Sequence, residues 1–87
     1  MGFNKRKLND KQREFIRLFE KQYGYDPYKS AYVYINKYYH QLNDSYELCR
    51  KYLHSRGLFL KPDEFKLMLS IFKFITSEKW IKLNVNY

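Results

Sequence analysis

The side chains best suited to chemistry in this chain are one cysteine, Cys49, two histidines, His40 and His54, and the neighbouring tyrosines Tyr38 and Tyr39. A structural zinc site takes four Cys or His ligands in closely spaced pairs. Cys49 and His54 stand five residues apart, His40 is distant, and a carboxylate would be needed to finish the set. A Cys–His nucleophile has no local signature to support it. The acids Asp26, Asp63 and Glu64 fall where helices start, so capping accounts for them. Tyrosine nucleophiles that cleave DNA also need a histidine cluster for metal or an arginine-rich catalytic set, and neither surrounds Tyr38-Tyr39. The glycines are three and isolated, which rules out a Gly-rich phosphate loop. These residues predict a non-catalytic chain with no metal and no cofactor.

Binding chemistry has more to work with. The 87 residues carry a formal net charge of +8 and a pI near 9.6, which favours a polyanion or an acidic protein surface as partner. The charge comes in two blocks. Residues 1–22 hold seven basic and three acidic side chains, and residues 50–87 hold eight and three. The stretch between them is near neutral. Candidate phosphate contacts in the first block are Lys5, Arg6, Lys7, Lys11, Arg13, Arg17 and Lys21. In the second they are Arg50, Lys51, Arg56 and Lys61. A basic arm beside a helix is a common way to engage a nucleic-acid backbone. The aromatic share of 21% adds rings that can stack on unpaired bases. Glu14 and Glu20 interrupt the first block and dilute its field.

The elements that must position these groups are legible from local signals. Asn9 followed by Gln12 forms a capping-box pattern. The first helix then runs to about Tyr23, with Gly24 just past its end. Asp26-Pro27 opens a second helix, which reaches about Gln41 with a Tyr-rich inner face. Asn43, Asp44 and Ser45 cap a third, which ends at Arg56-Gly57. Pro62, with Asp63 and Glu64 behind it, opens a fourth.

That fourth helix organises the rest. Phe65, Met68, Leu69, Phe72 and Ile75 form one apolar face, and Leu67, Ile71 and Phe74 form a second. A helix apolar on nearly all sides has to be covered on nearly all sides. If three short neighbours leave part of it bare, Leu67, Ile71 and Phe74, with Tyr34 from the second helix, supply a homodimer seam or a groove for a protein partner. The tail Ile81 to Tyr87 alternates apolar and polar residues, which is strand periodicity.

The sequence therefore predicts an all-α fold: four short helices as two helical hairpins around a central fourth helix. A basic arm (1–8) precedes the helical domain (9–80), and a short strand or extended tail (81–87) follows it. No apolar stretch is long enough to span a bilayer, so no membrane partner is expected. No apolar run follows the basic residues of MGFNKRKLND, so no secretory signal is expected either. A single cysteine fits a reducing, cytoplasmic setting. Abundant Lys, Asn, Ile, Tyr and Phe suggest an AT-rich coding source such as a phage or mobile element. Two functions follow as expectations. The first is a DNA- or RNA-binding accessory or regulatory factor. The second is an inhibitor or adaptor that docks on an acidic protein surface.

Overall fold

The computed structural model describes residues 7–38 and 44–85, with side chains as far as residue 77. Among the described residues there are four α-helices and no strand: α1 (Asp10–Tyr23), α2 (Pro27–Tyr38), α3 (Ser45–Ser55) and α4 (Pro62–Val85).

Each start is fixed by the chemistry of its cap. The Asn9 side chain accepts from the Gln12 amide at 2.8 Å, and the Gln12 side chain accepts from the Asn9 amide at 2.9 Å. This reciprocal box satisfies two of the free amides at the start of α1. Gly24 closes α1 in the left-handed region at φ 83° and donates its N–H to the Glu20 carbonyl. Asp26 accepts from the Tyr28 amide at 2.9 Å ahead of Pro27, and Asp44 accepts from the Tyr46 amide at 3.0 Å. At the end of α3, Gly57 sits at φ 65°. The Leu58 amide reaches back from there to the Leu53 carbonyl at 2.9 Å. The start expected at Asn43 and the end expected near Gln41 lie outside the described residues.

α4 packs against α1, α2 and α3, and α2 also packs against both α1 and α3. The innermost stripe of α4 is Met68, Ile71, Phe72 and Ile75, all essentially inaccessible to solvent. It draws on both of the apolar faces read from the sequence, because the deepest line of a helix follows i, i+3, i+4, i+7. Phe15, Ile16 and Phe19 of α1, Tyr28, Ala31 and Ile35 of α2, and Leu48, Cys49, Tyr52 and Leu53 of α3 complete the core. Leu8, also buried, anchors the chain just before α1.

Polar ties cross between the helices among the described residues. Gln12 Nε2 donates to Ser70 Oγ at 2.9 Å, so the capping residue of α1 also docks that helix on α4. Ser45 Oγ and Thr76 Oγ1 share a hydrogen bond of 2.7 Å between α3 and α4. The Tyr52 hydroxyl donates to Ser30 Oγ at 2.7 Å between α3 and α2. Among the described residues no buried side-chain nitrogen or oxygen lacks a partner.

One expectation is corrected. The tail predicted to form a strand is helical as far as Val85. After Pro62 the chain contains no Pro or Gly to stop the helix. Each added residue extends an existing helix with one more hydrogen bond, whereas a lone strand has to find an edge. Residues 86 and 87 lie outside the described residues.

Candidate nucleic-acid interface

Two of the predicted phosphate contacts, Lys5 and Arg6, lie outside the described residues. Lys7, Lys11 and Lys21 are exposed. The two arginines of α1 are paired with carboxylates one turn back. The Arg13 guanidinium donates to Asp10, and Arg17 grips Glu14 with Nε at 3.1 Å and Nη2 at 2.6 Å. The bond from Arg17 holds the Glu14 carboxyl below its ordinary range, and the same bond raises Arg17. Exposed pairs of this kind add little to stability. They do cancel much of the positive field along the outer face of α1.

Arg56, also predicted to contact phosphate, serves the fold. Its Nη2 donates to Ser30 Oγ at 3.0 Å, and its guanidinium lies 5.2 Å from the Tyr25 ring centroid and 5.5 Å from that of Tyr52. It fastens the end of α3 to the start of α2 through cation–π and hydrogen-bond contacts.

The remaining cations form a better surface. Arg50, Lys51 and His54 line a concavity of about 320 Å³ on the outer side of α3. Arg50 has only a loose contact with Glu47, at 3.6 Å. From Leu48 to Pro62 the chain carries Arg50, Lys51, His54, Arg56 and Lys61 and no acid. A second group of exposed cations thus lies on α3 and the link that follows it.

The link holds a residue that the sequence reading did not single out. Phe59 is 95% exposed, while Leu58 and Leu60 on either side pack against the core. Burial alternates along residues 58–61, so Phe59 and Lys61 are the outward members of the link. Full burial of a Phe ring is worth about 2–3 kcal/mol, and this ring forgoes it. The link is held at both ends, by the Leu58 amide on Leu53 and by the Lys61 amide on Glu64 Oε1 at 3.0 Å. The acid-free run was visible in the sequence. The outward sense of Phe59 was not, because three consecutive apolar residues do not reveal which one faces out.

The predicted partner surface is also revised. Ile71 is fully buried within this chain and belongs to the core, so it cannot form a seam. Phe74 is half-buried with its ring 6.4 Å from Tyr28, and Tyr34 is half-buried between Tyr38 and Tyr52. Leu67 alone of the four lines an open groove. That groove, about 450 Å³, runs between α1 and the start of α4. Phe15, Leu18, Phe19, Tyr23, Leu60 and Leu67 line its apolar part, and Asp10, Glu14 and Glu64 stand among its polar residues.

Among the described residues no three His, Cys, Asp or Glu side chains gather where they could hold a metal, and no helix is long and apolar enough to cross a membrane. Cys49 is fully buried, and burial pushes its thiol up to about 12. In the unfolded chain an ordinary thiol ionises near pH 8.5. The folded state therefore loses relative stability as pH rises from there towards 12, since only the unfolded chain gives up the proton. A thiol reagent should modify Cys49 no faster than the protein unfolds. Rapid modification at neutral pH would contradict this burial.

No family model, curated protein or solved structure matches this chain.

Proposed function

We propose that this protein is a non-catalytic nucleic-acid-binding accessory or regulatory factor that grips a phosphate backbone with α3 and the link after it. The observation that carries this reading is the cationic concavity of Arg50, Lys51 and His54, set in a run of chain without acids. Lysine and arginine there neutralise phosphates and release their counterions, which drives binding at low salt. The arm with Lys5, Arg6 and Lys7, together with Lys11 and Lys21, adds sequence-independent attraction. Arg13 and Arg17 contribute less because their charges are matched by Asp10 and Glu14. The test is an equilibrium titration of labelled single-stranded and duplex oligonucleotides at several salt concentrations. Affinity should fall steeply as salt rises; no binding at low salt would end this reading.

A second reading rests on the apolar groove. There the protein acts as an inhibitor or adaptor, of phage or mobile-element origin, on a host or defence protein. The occupant is an amphipathic helix whose apolar side chains fill the space beside Leu18, Tyr23, Leu60 and Leu67. Its mark is a captured protein that survives nuclease treatment and is lost on Leu18→Arg. Capture unaffected by that substitution would count against the groove.

A further inference from the structure

We infer that Phe59 is a stacking platform for an unpaired base, so that the nucleic acid bound is single-stranded, or is unpaired where it meets the link. The inference rests on the nucleic-acid reading above and adds the form of the ligand to it. Four observations bear on this reading. It is almost wholly exposed, while both its neighbours pack on the core. The segment that presents it is tied at each end by its own amides, Leu58 donating to the Leu53 carbonyl and Lys61 to the Glu64 carboxylate, so the ring is held out on a fixed support. Lys61, exposed two residues on, lies within reach of the phosphate belonging to a stacked base. Arg50, Lys51 and His54, on the preceding helix, offer a cationic concavity for further phosphates. Proteins hold single strands without regard to sequence by combining exposed aromatic faces with positively charged side chains, since every base offers a π-face. In a regular duplex the faces of the bases are covered by their neighbours, and the ring would meet only backbone.

The experiment compares the unaltered chain with Phe59→Ala and Phe59→Trp. Each is titrated with short oligodeoxythymidine, with oligouridine of equal length, and with a mixed-sequence duplex. Phe59→Ala should bind the single strands about tenfold more weakly, as expected for loss of one stacked base, and the duplex unchanged. Phe59→Trp should restore the affinity. Loss on both single strands supports stacking common to DNA and RNA, and loss on one alone names which of them the site takes. Equal single-strand affinity of Phe59→Ala and the unaltered chain, with steep salt dependence in both, overturns the inference and leaves the nucleic-acid reading standing. If the unaltered chain binds none of the three at low salt, both fail together.

Discussion

Phe72→Ala is expected to lower the folding stability by about 3–5 kcal/mol, the usual cost of removing a core aromatic and leaving a cavity. Phe72 is fully buried on α4, with its ring 5.4 Å from that of Tyr52 on α3. The other helices all pack on α4, so the neighbours of this site belong to different elements and cannot collapse together into the space. Domains of this size have only about 5–15 kcal/mol in hand, so the loss removes a large part of the margin. Urea unfolding followed by circular dichroism would measure it. The contrast is Phe59→Ala, which truncates an exposed ring and should leave the midpoint nearly unmoved. A loss below about 1 kcal/mol for Phe72→Ala would mean that α4 is not the hub of the core.

The second large effect concerns charge. Changing Arg50, Lys51 and Lys61 together to Gln removes three exposed cations, of which Arg50 has a long ion pair to Glu47 at 3.6 Å. Single-stranded binding shows a salt slope of about 0.7 per phosphate neutralised, so the slope should fall by about 2. At low salt the affinity should drop by at least tenfold, roughly 1.4 kcal/mol. Arg13→Gln with Arg17→Gln removes as much formal charge from α1, apart from one unit, but frees Asp10 and Glu14 only to water and should cost much less. If the α1 pair proves the more damaging, the interface lies on the first helix and its arm.

The parts of the fold that could be read from the sequence are those set by neighbouring residues. Asn9 with Gln12, Asp26 before Pro27, Asp44, and the glycines at 24 and 57 act within one turn, so their local chemistry decides them. The apolar excess of α4 identified the helix that contacts the other three. The tail misled because alternation over seven residues is a weak signal, and α4 had no breaker between Pro62 and Val85 to yield to it. Ile71 misled because it was assigned to the outer of two apolar faces, while three neighbours cover more of the helix than one face. The candidate site was legible in its charges but not in their pairing. The rotamers of Arg13 and Arg17 turn them to Asp10 and Glu14, one turn back on the same helix. Arg56, still exposed, also meets Ser30, Tyr25 and Tyr52, which are close only once α2 and α3 pack. The groove beside Leu18 and Leu67 likewise exists only between packed helices.

The most direct test of the proposed interface is residue-resolved: backbone amide chemical shifts recorded by NMR while a short single-stranded oligonucleotide is added. The largest changes should fall on residues 50–61, centred on Arg50, Lys51, His54 and Phe59, with Arg13 and Arg17 little moved. Changes concentrated on α1, or along the groove at Leu18, Tyr23 and Leu67 with residues 50–61 silent, would contradict it.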